Sequence, residues 1–129
     1  MIVTLIRFAL IAPSGDAGTE PTPPIGLAYL AGMCKDADVD IDVKGIDAAG
    51  RNLNKIFKIP KYNLRGNGLE IDEIIKLIDP RTKIIGISSM FSHEWPYVRD
   101  CIELIKKNFP NVKIVVGGEH ITALPEYCL

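Results

Sequence analysis

The chain has 129 residues, enough for one domain with a real core and too few for two. It is 47% hydrophobic and 24% charged with a formal net charge of −1, so no global field draws it to nucleic acid or to an anionic membrane. No apolar run approaches the roughly 18 residues of a membrane span, and Cys34, Cys101 and Cys128 are too far apart for a disulfide framework or a paired metal site. A reducing cytoplasm is the expected setting.

The first element in chain order is the run IVTLIRFALIA at 2–12. It lacks the basic flank and small-residue cleavage pattern of a leader and carries Arg7 mid-run, so it is predicted as a strand buried on both faces. Pro23-Pro24 then precede Leu27, Leu30, Ala31 and Cys34, whose i, i+3, i+4, i+7 spacing predicts a first helix. In VDIDVKGID at 39–47, apolar Val39, Ile41 and Val43 alternate with Asp38, Asp40, Asp42 and Lys44. That pattern predicts an edge strand with one wet face. Residues 48–68 hold five cations and no acid, and this long connector is read as a solvated loop with a short helix at 52–58.

Ile71, Ile74, Ile75 and Ile78 predict a second helix that stops before Asp79-Pro80, because the residue preceding proline is pushed out of helical geometry. TKIIGISSM at 82–90 is the third strand. Val98, Cys101, Ile102 and Ile105 predict a third helix, with Ser92 as N-cap, Glu94 at the favourable end of the dipole and 108–110 as the stop. VKIVVGG at 112–118 is the fourth strand, and a further helix begins near Thr122.

Strict alternation of strand and helix implies right-handed crossovers and an α/β, doubly wound parallel sheet. The flavodoxin-like or Rossmann-like order 2-1-3-4 places the wet second strand at an edge. Such a sheet ordinarily has a fifth strand, which is missing, so residues 1–129 are expected to be a C-terminally truncated piece of a longer protein. The fourth strand would then offer an unpaired edge, a template for self-association.

In open parallel sheets ligands bind beyond the carboxyl ends of the strands, at the switch point between strands 1 and 3. The rim is therefore 14–24, 47–50, 88–94 and 117–122. Its serines and glycines let backbone N–H groups approach a ligand, and helix N-termini favour anionic or amide-rich groups. Neither GxxxxGK[ST] nor a GxGxxG after the first strand occurs, and there is no GxSxG. His93 and His120 stand on different loops and make a weak case for a metal. Phosphotransfer is disfavoured too, since Asp16 is the one acid near the end of the first strand and Ser88-Ser89-Met90 stand where a phospho-accepting aspartate would be needed. A binding module is favoured over an enzyme. The alternatives are a stand-alone α/β domain for flavin or nucleotide and a non-catalytic interaction domain.

Three segments carry a resemblance. PTPPIGLAYLAG follows the first strand, Ser88-Ser89-Met90 ends the third, and GGEHITALPE follows the fourth. Together they resemble the N-terminal cobalamin (vitamin B12)-binding domain of B12-dependent radical S-adenosylmethionine enzymes, over essentially the whole chain. The resemblance implies that Ser88, Ser89 and Met90 flank the cobalamin tail, and that Gly117 and Gly118 make room for its dimethylbenzimidazole. It also implies that backbone groups of Ser14, Gly15 and Thr122 contact corrin amides, while His120 and Pro125 shape the loop rather than touch cobalt. Cobalamin mutases and methionine synthases draw an axial histidine from D-x-H-x-x-G after strand 1, but here the loop reads SGDAGTEPTPP. Base-off cobalamin without a protein histidine is the implied state. No CxxxCxxC motif is present, so the [4Fe-4S] cluster and S-adenosylmethionine are expected only in an absent C-terminal domain of the same full-length chain. That domain would carry out the methyl transfer or related radical chemistry.

Overall fold

A computed structural model describes residues 1–16 and 20–128. Four parallel strands, β1 (Ile2–Arg7), β3 (Asp42–Asp47), β6 (Thr82–Ser88) and β7 (Lys113–Gly117), form the main sheet in the order β3-β1-β6-β7. This is the order expected, with the charged, alternating strand at an edge. Val39 lies outside β3 and is exposed, so the strand starts later than its pattern suggested.

Because side chains alternate across a strand, the two faces of the sheet have different fates. Ile6, Ile46, Ile85 and Ile87 are buried in one continuous core with Ile74 and Ile78, and with Val98, Cys101 and Ile105. These partners come from α3 (Ile71–Leu77), with Ile78 as its C-cap residue, and from α4 (Trp95–Asn108). Helix α3 stops ahead of Asp79-Pro80 as predicted, and Glu70 with Glu73 adds a capping box at its start. Helix α4 differs at its start, where Glu94 is the N-cap without a side-chain bond. Ser92 is instead turned to His120, its Oγ 3.0 Å from Nδ1. The opposite face of the sheet meets α1 (Ile25–Asp36), which has no buried residue at all.

Two expectations are corrected. The run at 2–12 is not one strand: it leaves the main sheet at Phe8 and resumes as β2 (Leu10–Pro13) in a second sheet. The partners of β2 come from the connector read as a solvated loop. After the short α2 (Ala48–Arg51), that segment forms β4 (Ile56–Ile59), a 3-10 turn at Pro60–Tyr62 and β5 (Leu64–Asn67), giving the antiparallel order β2-β5-β4. No helix forms at 52–58. Burial decides this, because Phe57 covers Gly66 across the strands and packs on Tyr97, with ring centroids 6.1 Å apart. Three of the connector's cations are not simply solvated either. Lys55 pairs with Glu73 at 2.6 Å and Glu70 at 3.0 Å, Lys61 pairs with Asp100 at 2.7 Å, and the Arg65 Nε atom is buried.

Candidate functional site

An apolar helix without a buried residue is a helix held away from the surface it should cover. Between α1 and the sheet lies a cleft of about 600 Å³, within the roughly 300–1,000 Å³ typical of small-molecule sites. Its floor is one face of the main sheet: Val3 and Leu5 of β1, Ile84, Gly86 and Ser88 of β6, and Val115 and Gly117 of β7. The roof is the α1 stripe Gly26, Leu27, Leu30 and Cys34, and Met90 with Gly118 closes the end at the strand termini. Ser88 brings the one hydroxyl among these residues. The chemistry on offer is therefore burial of a flat apolar group.

Small residues keep the cleft open. A Cβ added at Gly117 or at Gly26 would meet nothing within 4 Å, so neither glycine is required by packing. Gly118 is different, with φ at +118° and no room for a Cβ, which would overlap the backbone of Ser89. Its bareness serves the chain's turn from β7 into α5 (Glu119–Ala123).

A second, smaller cavity of about 260 Å³ opens at the rim and shares Ser88 and Met90 with the cleft. Arg7, Phe8 and Leu10 form one wall, Phe91, Glu94 and Val98 another, and Thr22 closes it. Arg7 Nε donates to Asp47 Oδ1 at 2.8 Å, and Nη1 donates to the Thr22 carbonyl oxygen. Burial raises the Glu94 carboxyl above the ordinary carboxylate range, with His93 and the backbone of Phe91 and Met90 pulling the other way.

The residues expected at the site divide accordingly. Ser88, Met90, Gly117 and Gly118 come together around the cleft. Ser89 does not line it: the residue is fully buried, its Oγ has no hydrogen-bond partner, and its N–H bonds to the Gly117 carbonyl oxygen at 2.8 Å. Ser14 and Gly15 lie beyond β2, where the Ser14 N–H bonds to the Asn63 carbonyl oxygen, and they line neither cavity. The main sheet's first strand ends at Arg7, so the rim begins there rather than at Ser14. Thr122 sits in α5 with its hydroxyl donating to the Gly118 carbonyl oxygen at 2.9 Å. Part of the first rim loop, 17–19, lies outside the described residues.

Neither histidine reaches the cleft. His93 Nε2 is 2.9 Å from the Ile11 carbonyl oxygen. His120 is buried between Ser92 and Cys128, with Nε2 3.5 Å from the Cys128 thiol, and its ring lies 5.5 Å from that of Trp95. Among the described residues no three His, Cys, Asp or Glu side chains gather as a metal site. The residues missed by sequence reasoning are Leu5, Arg7, Gly86, Val115 and the roof of α1. The i, i+3, i+7 stripe of α1 was visible, but such a stripe reads equally well as core.

The chain is similar to known proteins over most of its length. The family model described as the B12 binding domain matches residues 17–129. An uncharacterized methyltransferase of Pyrococcus horikoshii is 37% identical over 128 residues, covering 95% of this chain and 24% of the relative. The cytidylyl-2-hydroxyethylphosphonate methyltransferase of Streptomyces wedmorensis is 28% identical over 128 residues with the same coverage. The chain thus spans about a quarter of the length of these curated relatives. No solved structure matches it significantly.

Proposed function

The chain belongs to the B12-binding domain family, and from that premise we propose that it holds cobalamin with the nucleotide tail inserted in the cleft between α1 and the main sheet. The observation that carries the reading is the open space at Gly117, in a cleft walled by Leu5, Leu27, Leu30 and Val115. A flat benzimidazole suits such walls, because burying it removes apolar surface from water on both sides. Ser88 and Met90 stand where the tail would pass to the strand ends, and Gly118 fixes the turn beside them.

Both imidazoles are engaged elsewhere, which supports cobalamin bound without a histidine from this chain, and a benzimidazole inserted in the cleft would be off cobalt, the base-off state. When bound, the cofactor supplies a cobalt-carried methyl group, and axial ligation is one of the protein's levers on it. The relatives are named methyltransferases, so methyl transfer is the reaction we propose for the whole protein. Cys34, Cys101 and Cys128 make no three-cysteine cluster motif. Any iron–sulfur cluster and S-adenosylmethionine would therefore sit in a separate radical domain, the partner of this one.

The test is a titration with hydroxocobalamin, following the visible spectrum, beside Gly117→Leu. Saturable binding with a base-off spectrum, lost in Gly117→Leu while the thermal melt is unchanged, supports the reading. Equal binding by the variant removes the cleft from it. We also propose self-association through β7, which ends the strand order of the main sheet and so offers a backbone edge for pairing. A monomer in analytical ultracentrifugation with strong amide protection along β7 would count against that.

A further inference from the structure

The rim cavity holds one charge without a counter-charge. Arg7 lines it, but its guanidinium is already committed: Nε donates to Asp47 Oδ1 at 2.8 Å and Nη1 donates to the Thr22 carbonyl oxygen. Asp47 stands outside the cavity, opposite Arg7 in the register of β1 and β3, and is anchored by the Gly50 N–H at 3.1 Å. That ion pair is neutral as a unit. Glu94 reaches the cavity from the start of α4 and has no such partner, since among the described residues no lysine, arginine or histidine is ion-paired with it. His93, next to it in the chain, is bonded through Nε2 to the Ile11 carbonyl oxygen. The backbone N–H groups of Phe91 and Met90 turn to the Glu94 carboxyl, but they bring no net charge, and burial removes much of the water that would otherwise solvate it. A carboxylate in that position gains most from a cation.

The walls decide which cation. Phe8, Leu10, Phe91 and Val98 make them apolar, so a potassium or sodium ion would give up its hydration there for a single carboxylate. An anion would face Glu94 while the charge of Arg7 is already balanced. A neutral amide or alcohol would leave the carboxylate without a counter-charge. An ammonium on an alkyl arm suits both features, because its N–H groups donate to Glu94 and to the Ser88 hydroxyl while the arm packs on the apolar walls. We propose that the rim cavity is a subsite for a primary ammonium group on an alkyl arm, with Glu94 as its counter-ion. It lies on the α4 side of Ser88 and Met90, whereas the cleft lies on the α1 side. The assignment rests on this cavity and not on the cobalamin reading.

The first experiment titrates the isotopically labelled chain with propylammonium, propionamide and propionate, at an ionic strength fixed with potassium chloride. Propylammonium should shift the Glu94 carboxyl carbon and the amides of Leu10 and Phe91 saturably, with propionamide and propionate weaker by about tenfold or more. Glu94→Gln keeps the shape and removes the charge, so it should weaken propylammonium by about tenfold or more. Met90→Lys, at a position 43% exposed, brings a tethered ammonium to the cavity and should abolish propylammonium binding whether or not Glu94→Gln folds. Propionamide or propionate binding as tightly as propylammonium, no shift at these residues, or unchanged affinity in both variants would each overturn the proposal.

A second arm separates the two sources of such a group, a free alkylamine and a lysine side chain. Nα-acetyl-lysine methylamide binding at least about tenfold more tightly than propylammonium assigns the subsite to a lysine of a polypeptide, and equal affinity assigns it to a free amine. A third arm repeats the propylammonium titration with saturating hydroxocobalamin. Affinity should stay within about threefold, as for independent sites, and complete displacement would overturn the separate subsite by placing the cavity within the cofactor's footprint. Propylammonium binding without hydroxocobalamin binding would sink the cobalamin reading and leave the ammonium subsite standing.

Discussion

Gly118 is packed against the backbone of Ser89: a Cβ there would overlap the Ser89 carbonyl group, lying 2.7 Å from its carbon, while one at Gly117 would touch nothing within 4 Å. Adjacent glycines thus do different work. Gly118→Ala combines a positive φ with a backbone clash and should cost at least about 1–3 kcal/mol. Gly117→Ala should be close to neutral in stability, within about 0.5 kcal/mol. Urea denaturation of the two variants checks this, and equal costs would contradict the difference in packing.

The thiols should separate by environment. Cys34 lines the cleft, whereas Cys101 is 1% exposed in the core and burial pushes its thiol up to about 12. Alkylation under native conditions should label Cys34 and spare Cys101. Saturating hydroxocobalamin should slow labelling at Cys34 if the tail occupies the cleft. Unchanged labelling in the presence of bound cofactor would place the tail elsewhere.

His120 joins two rim loops through Ser92 and reaches α6 (Pro125–Cys128) through the Cys128 thiol. His120→Leu keeps the bulk and removes both bonds, leaving the Ser92 hydroxyl without its partner. A loss of about 1–3 kcal/mol is expected, together with faster alkylation of Cys128. Thermal and denaturant unfolding alongside thiol kinetics would measure both, and a variant unchanged in each would show the bonds to be incidental.

The Glu94 carboxyl is raised by burial, so the folded state holds its proton more tightly than the unfolded state. Its favourable contribution is complete below the unfolded value, near 4.5, and is lost as pH climbs through the raised folded value. Stability of Glu94→Gln relative to the natural chain should therefore improve as pH rises above that point. Unfolding curves between about pH 4 and 6 test the sign, and a relative stability that falls over the window would refute it.

Much of the fold is written in short-range pattern. The continuous apolar runs, the alternating second strand, the helical stripes and the proline stops are local signals. They determined the parallel strands, their order and helices close to their observed bounds, because hydrophobic periodicity acts within a few residues. The likeness of the three rim segments to cobalamin domains was legible in the same way. Pairing between distant segments was not. The break at Phe8, the second sheet made from residues 56–67, and the engagement of Ser92 by His120 depend on groups that meet only after the chain has closed long loops. The cleft belongs to this second kind. Sequence could show that α1 has an apolar stripe, but only the tertiary structure decided that the stripe faces open space over Gly117, since burial is a property of what lies opposite a side chain and not of the side chain itself.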